Sequence, residues 1–404
     1  MQVLIVGAGA AGLMAAGAAL ENGHTVTLLE QMDEPGKKLL ITGKGRCNVT
    51  NDCDEREFLQ NVRTNPRFLF SSLYAFPPRA AMELFEDQLG VPLKTERGRR
   101  VFPVSDRAAD ILGALRRYAA GAEYRHERVK SLILENEACV GVVTNRGEYR
   151  ADAVLVATGG VSYPVTGSTG DGYRLARQAG HSIVEPVPSL VSLVEAGSTC
   201  KKMMGLSLRN VSLTLYQDQK NVFCEQGEMI FTHFGISGPL TLSASAHIGD
   251  MKRHKYTASI DLKPALSEDQ LYARITRDFA LLSNRDAANA LVKLLPAKMQ
   301  PVMVERWGID PATKANQITR EQKQALVHLI KHFEVPIRTR GDLEHAVVTS
   351  GGVDVRQVDP KTMQSKLCPG LYFAGEVLDL DAYTGGYNLQ IAWSTAQAFA
   401  DHLW

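Results

Sequence analysis

None of the six cysteines, at positions 47, 53, 139, 200, 224 and 368, belongs to a CxxC pair. Neither a zinc site nor a disulfide framework is indicated, and no metal is expected. Cys139 and Cys224 lie in strand-like apolar runs and read as small buried side chains. Charge of one sign is also lacking: 45 Lys and Arg against 44 Asp and Glu leave a net +1. No overall field draws nucleic acid, so any such binding must use a local patch. The chain enters an apolar strand at "QVLIV" with no basic leader or cleavage site before it, and "AAGLMAAGAAL" is too short to cross a bilayer. The expectation is a cytoplasmic protein with no membrane partner. No internal repeat or low-complexity linker is visible.

The 404 residues are 45% hydrophobic, enough for a large core and long enough for two or three domains. At the N-terminus "QVLIV" is a β-branched run of the kind found in buried parallel strands. "GAGAAG" follows, with Gly7, Gly9 and Gly12 in GxGxxG spacing, then a helix to Gly23 and a second strand, "TVTLLE", ending at Glu30. Gly7 permits the tight turn, Gly9 lets a pyrophosphate approach the backbone, and Gly12 lets helix and strand pack closely. The helix N-terminus offers free N–H groups to the phosphates. Glu30 is placed to accept from ribose hydroxyls, which disfavours a 2′-phosphate and points to FAD or NAD.

Three later segments favour FAD. "ADAVLVATGG" carries a strand into Ala157, Thr158 and Gly159 after a run of short strands. "GLYFAGEVLD" ends a buried strand at Gly375 and Glu376, where an acid suits a ribityl chain. "TGGYNLQIAWSTAQAFADHL" opens a helix at Gly385 and Gly386, whose N–H groups suit the flavin edge that gains negative charge on reduction. The glycines of "VTGSTGDGYRLARQAG" are spaced GxxGxG with no buried strand before them, so a second fingerprint is lacking. NAD(P)H is therefore expected as a transient reductant, or electrons come from the substrate.

The blocks "GKKLLITGKGRCNVTN", "GRRVFPVSDRAADI", "ATGGVSYPVTGSTGDGY", "THFGISGPLTLSAS", "TSGGVD" and "GLYFAGEVLDLDAYTGGYNLQIAWSTA" resemble, in order and over the whole chain, the BaiN/RdsA-like family of NAD(P)/FAD-dependent oxidoreductases. The resemblance implies an α/β fold: a Rossmann-like FAD-binding domain of the two-dinucleotide-fold type with an inserted β-barrel subdomain and a helical subdomain. The expected divisions are 1–189 and 341–404 for the FAD domain, 190–265 for the barrel and 266–340 for the helices. The glycine loop of the family usually reads GGGRCN; here Lys44 takes one glycine position. Residues expected to touch FAD are Gly7, Gly9, Ala11, Gly12, Glu30, Gln31, Lys38, Arg46, Cys47, Asn48, Val129, Ala157, Thr158, Gly159, Gly375, Glu376, Gly386, Tyr387, Asn388, Leu389 and Gln390.

Lys38 and Arg46 either neutralise phosphate or stay solvated. Asn48 and Asn51 suit side-chain to backbone bonds that fold the loop. Cys47 is either a proton donor or redox partner with a pKa lowered by Arg46, or a small buried filler. His233, in "FTHFGISG", is either a catalytic group over the flavin face or a histidine held within the β-unit. Tyr163 and Tyr387 suit packing against cofactor or substrate.

The resemblance implies reduction of uridine to 5,6-dihydrouridine in ribosomal RNA, with a small-molecule acceptor (enone, steroid or amine) and a non-catalytic flavin-bound assembly factor as the alternatives. Local cations bear on the first. Residues 266–340 hold 12 Lys and Arg against 8 Asp and Glu, and "RGRR" (Arg97–Arg100), the pair at 201–202 and "KRHK" (Lys252–Lys255) add more. Such runs are usually solvated faces.

Overall fold

The structure is a computed structural model that describes residues 1–403. The chain folds into two compact units. One comprises Met1–Ser189 and the chain from Leu343 onward; the other is Leu190–Asp342.

The first unit is built on a five-stranded parallel sheet. Its order is Leu371–Phe373, Ala153–Val156, Gln2–Val6, Thr25–Glu30, Glu123–His126. Ala153–Val156 is buried at every residue, as a strand covered on both faces must be. The helix Ala10–Glu21 is apolar all round and buried without interruption from Ala11 to Ala19. Its small side chains let neighbours come close: a Cβ on Gly17 would lie 2.0 Å from the Tyr118 ring. The C-terminal helix Tyr387–Ala400 is likewise buried along most of its length, with Trp393 fully enclosed. A three-stranded antiparallel meander, Val129–Glu135, Ala138–Thr144 and Glu148–Arg150, leads into the strand Ala153–Val156.

The second unit is a closed six-stranded barrel with helices. Its strands are Leu193–Glu195, Gly235–Ser237, Lys220–Phe231, Ser207–Gln217, Tyr256–Asp261 and Phe333–Arg340, the last pairing back to the first. The helices Glu268–Leu281 and Arg320–Lys331 start at capping boxes, Ser267 with Gln270 and Thr319 with Gln322. Two expectations need correcting. The barrel is not finished by residue 265: Phe333–Arg340, expected within the helical segment, is its closing strand, burying Phe333, Val335 and Ile337 on alternate positions. Cys224 is exposed, because Phe223 before it points into the barrel and the next residue must point out.

Among the described residues no helix is long and apolar enough to cross a membrane.

Two glycines of the first turn differ in what a methyl group would meet. A Cβ on Gly12 would lie 1.8 Å from the Gly7 carbonyl oxygen, whereas one on Gly9 meets nothing within 4 Å. Gly12→Ala is therefore expected to destabilise the ligand-free protein by about 1–3 kcal/mol, as forced overpacking does. Gly9→Ala should cost less than about 1 kcal/mol, the difference in N-cap preference. Thermal and denaturant unfolding of the two variants check this, and equal losses would refute it.

Candidate functional site

The site is assembled from strand ends and helix starts of the first unit. Gly7 leaves the first strand at φ +103, and its N–H donates to the Leu29 carbonyl at 2.8 Å. Gly9 caps the helix Ala10–Glu21 with no side-chain hydrogen bond, and no acid stands in the first turn. The positive end of the helix is thus left for an outside anion. Glu30 closes the second strand and receives the N–H of Ala8 at 2.7 Å and of Met32 at 2.9 Å. Gln31 donates to the Gly167 carbonyl at 2.8 Å. Gly7, Glu30, Gln31, Val129 and Thr158 line one narrow cavity of about 40 Å³. It also takes in Glu127, Arg128, Gly167 and Asp171, which sequence reasoning did not single out; the ion pair of Arg128 with Asp171 at 3.0 Å borders it. The stretch "TGDG" at residues 169–172 was the available signal for Asp171, and the GxxGxG spacing that begins at Gly167 was the signal for that glycine.

Glu376 follows the edge strand of the sheet. Lys38 donates to its Oε2 at 2.6 Å and to the Ser162 hydroxyl at 2.6 Å. Ser162 Oγ and the Thr349 N–H each donate to Glu376 Oε1 at 2.9 Å. Burial alone would raise the Glu376 carboxyl. The Lys38 charge and these hydrogen bonds outweigh it and hold the group below the usual carboxylate range. Lys38, expected either to neutralise phosphate or to stay solvated, is thus committed to a carboxylate, and Ser162 and Thr349, which lie in the blocks "ATGGVSYPVTGSTGDGY" and "TSGGVD", join the site without having been singled out.

The segment from Thr42 to Asn51 is a compact loop, with Gly43, Lys44, Gly45 and Cys47 all at positive φ. Lys44 holds φ +60 with its side chain exposed, so the lysine at a glycine position keeps a glycine-like backbone. Arg46, expected at phosphate, pairs instead with Glu96 at 2.5 Å and Asp106 at 2.5 Å, over the Phe102 ring at 4.1 Å. Two carboxylates already match its charge. Cys47 is fully buried, and burial pushes its thiol up to about 12, with a smaller opposing effect from Thr42. The expectation that Arg46 lowers this pKa is overturned: the guanidinium faces its own carboxylates.

The loop is fixed to the C-terminal helix. Asn51 donates to the Gly98 and Gly385 carbonyls, each at 3.0 Å. Thr50 donates to Gln390 at 2.7 Å, and Trp393 donates to the Val49 carbonyl at 2.9 Å. Gly386 caps that helix at φ +99, again with no side-chain bond and no acid in the first turn. Asn388 is turned back onto Ala382, accepting its N–H at 3.0 Å and donating to its carbonyl at 2.8 Å. Tyr387 meets Phe58 edge to face at 5.2 Å. Leu389 and Tyr163 are half-buried.

Ala11 and Gly375 lie against each other, a Cβ on the glycine falling 2.8 Å from that of the alanine. Ala157 and Gly159 flank Thr158 just past the strand Ala153–Val156, beside Gly7.

Whether these residues suit a flavin dinucleotide is tested by what they leave open. Asn48 Oδ1 and Thr158 Oγ1 are buried without a hydrogen-bond partner, a state that costs free energy unless a ligand meets them. The space before Gly9 is clear, and two helix starts are uncapped. The donor set fits a bound anion and a polar ring edge. Gly7, Gly9, Glu30 and Thr158 can hold the nucleotide end, and Asn48, Glu376 and Gly386 the remainder.

His233 belongs to the second unit. It is exposed in the turn between the barrel strands Lys220–Phe231 and Gly235–Ser237, its ring edge to face with Phe234 at 4.9 Å.

The family model described as HI0933-like protein Rossmann domain matches residues 1–402. A ribosomal RNA dihydrouridine synthase of Haemophilus influenzae is 33% identical over 407 residues, covering 98% of this chain and 97% of that protein. A 3-dehydro-bile acid delta(4,6)-reductase of Clostridium scindens is 31% identical over 398 residues, covering 97% and 96%. Among solved structures, a 3-ketosteroid delta1-dehydrogenase of Sterolibacterium denitrificans matches with a TM-score of 0.50 at 13% identity, covering 99% of this chain and 98% of that one, a likeness of fold alone. The chain therefore belongs to the HI0933-like family and has its Rossmann-type flavoprotein fold.

Proposed function

We propose that this protein is an FAD-dependent oxidoreductase that uses NAD(P)H to reduce uridine to 5,6-dihydrouridine in ribosomal RNA. The observation that carries the flavin reading is the pair of uncapped, acid-free helix starts at Gly9 and Gly386 in one unit. The relative that is 33% identical along nearly the whole chain supports the RNA substrate. The bile acid reductase relative, of similar identity, supports a second reading in which the acceptor is a small enone. Both named reactions add hydrogen across a carbon–carbon double bond conjugated to a carbonyl, so one site chemistry serves either.

In the net reaction a hydride from NAD(P)H reaches C6 of the uracil ring and a proton reaches C5. Uridine gains two electrons, and NAD(P)⁺ leaves. When bound, FAD would supply the relay between the two hydride steps. The chain's own residues divide the remaining work. Gly9 and the helix behind it bind pyrophosphate, and Glu30 orients the ribose. Glu376, anchored by Lys38, Ser162 and the Thr349 N–H, presents a fixed carboxylate. The Gly386 helix start favours negative charge near it. For the proton at C5, Cys47 and His233 are the two proposed donors. A thiol at about 12 stays protonated at neutral pH, the form a proton donor must have, while its burial makes it a weaker acid than a free thiol.

Gly9→Ala should lose FAD affinity by about tenfold or more, because its methyl group enters the phosphate space. Retention of flavin during dialysis checks this, and unchanged retention would remove Gly9 from the site. Native alkylation at neutral pH should label exposed Cys224 well before Cys47, as mapped by peptide mass spectrometry; rapid labelling of Cys47 would contradict a buried neutral thiol. For the substrate, nucleoside mass spectrometry of ribosomal RNA should show dihydrouridine lost in cells lacking the gene and regained on complementation. Purified protein with naked RNA then tests directness. An unchanged dihydrouridine level would sink the RNA reading and favour the small enone.

A further inference from the structure

From the fold of the second unit we infer that a strip of unmatched cations, running from Arg277 through Lys293 and Lys298 to Lys201, is a docking surface for the phosphate backbone of a base-paired RNA segment. The inference rests on the ribosomal RNA reading above and names the surface by which such a substrate would be held.

Three segments of the unit build the strip. The helix Glu268–Leu281 buries Leu271, Ile275 and Phe279, and one flank of it carries Arg274, Arg277 and Leu281, spaced three and four residues apart. The Arg274 guanidinium donates to the Lys293 carbonyl at 3.4 Å, so the stretch 291–298 lies beside that flank. At the end of this stretch Lys298 donates to the Met204 carbonyl at 2.9 Å. Met204 stands in the turn after the helix Thr199–Lys202, its N–H donating to the Lys201 carbonyl at 3.3 Å. Arg277, Lys293, Lys298 and Lys201 are all exposed.

Charge complementarity selects the partner. From residue 270 to residue 300 the chain carries five Lys and Arg and two carboxylates. Both carboxylates are already matched, Asp278 by Arg274 at 2.7 Å and Asp286 by Lys314 at 2.6 Å. Glu305 is matched by Lys202, the neighbour of Lys201, at 2.6 Å. The acids Glu268 and Asp269 stand at the other end of their helix, about two turns before Arg277. Arg277, Lys293, Lys298 and Lys201 have no ion pair among the described residues. The basic runs conspicuous in the sequence are different: Arg99 pairs with Glu57, Arg100 faces Glu96, Arg253 faces Asp250 and His254 faces Asp218.

Cations drawn from three segments suit a partner whose negative charge repeats along its length, and the phosphate backbone is such a partner. No exposed residue of the strip is aromatic; Leu281 and Val292, 67% and 60% exposed, are aliphatic. Without a ring there is no platform for an unpaired base, so the strip suits the phosphates of a base-paired helix and not an open single strand. Contacts of this kind set the position of the RNA and carry no sequence information. An acidic protein is the competing occupant, and the test separates the two.

The test uses FAD-loaded full-length protein and a fluorescein-labelled RNA hairpin, with affinity read by anisotropy across a salt series. The variant combining Lys201→Gln, Arg277→Gln, Lys293→Gln and Lys298→Gln should bind about tenfold or more weakly, and each change alone should lower the slope of log affinity against log salt by about 0.9. Lys220→Gln removes the same charge from the turn between the barrel strands Ser207–Gln217 and Lys220–Phe231, and should leave that slope at the parent value. Flavin content and unfolding midpoint should match the parent protein in all of them. Dihydrouridine formed in ribosomal RNA is measured with the same samples. Parent-like affinity in the combined variant, or a change of slope as large for Lys220→Gln as for the strip, overturns the surface; if dihydrouridine still forms, the RNA reading survives alone. RNA held through the strip with no dihydrouridine formed by the parent leaves the surface standing and sinks that reading. A parent protein that binds no hairpin overturns the surface, as does one that binds polyglutamate as tightly through the same four residues, which would assign the strip to an acidic protein.

Discussion

Thr50 and Gly386 are in such close contact that a Cβ on the glycine would lie 2.2 Å from the Thr50 carbonyl oxygen. Much of the candidate site depends on this approach. It brings residues separated by more than three hundred positions into one wall, and it succeeds because Gly386 has no side chain and accepts φ +99. Around it, Asn51, Thr50 and the Val49 carbonyl bond to Gly385, Gln390 and Trp393. Each of these polar groups is buried or nearly so, and each finds its partner on the other segment. The loop and the start of the C-terminal helix therefore form one object, and a flavin edge placed at that helix start would also face the loop.

The same principle accounts for Lys38 and Glu376. A carboxylate in a largely enclosed place needs both a countercharge and hydrogen bonds. Lys38 brings the first, Ser162 and the Thr349 backbone bring the second, and the four groups come from four separate stretches of chain. The carboxylate is oriented before any ligand arrives, which limits the reorganisation that binding would require.

What the sequence made legible was local in character. Gly7, Gly9, Gly12 and Glu30 could be read because a strand, a turn, a helix and a second strand follow one another with fixed spacing. Glu376 and Gly386 could be read for the same reason. The partners of Arg46 could not: Glu96 and Asp106 lie fifty and sixty positions away, and nothing in "GKGRCN" specifies them. The buried state of Cys47 is similarly a tertiary fact, and it reverses the pKa direction that its neighbour in sequence suggests. Two misses had a readable signal. Phe333, Val335 and Ile337 alternate with Glu334, Pro336 and Arg338, but the strong helical period of Arg320–Lys331 just before them carried the reading past the boundary. Cys224 follows inward-pointing Phe223, and the parity of a strand sends it outward.

Arg46 and Lys38, the two cations considered for phosphate, are both held by carboxylates, so neither brings an unmatched charge to a phosphate. The neutralising role then falls to the backbone. An acid in the first turn is a common way to stabilise a helix, since it meets the positive end of the dipole. Both Ala10–Glu21 and Tyr387–Ala400 do without one, and without a side-chain cap as well. Buried packing along their lengths can sustain helices with unsatisfied starts, because tertiary contacts and not end effects supply most of their stability. The free N–H groups remain available to a ligand anion. A protein with a net charge of only +1 can in this way hold a dinucleotide without surrounding it with cations.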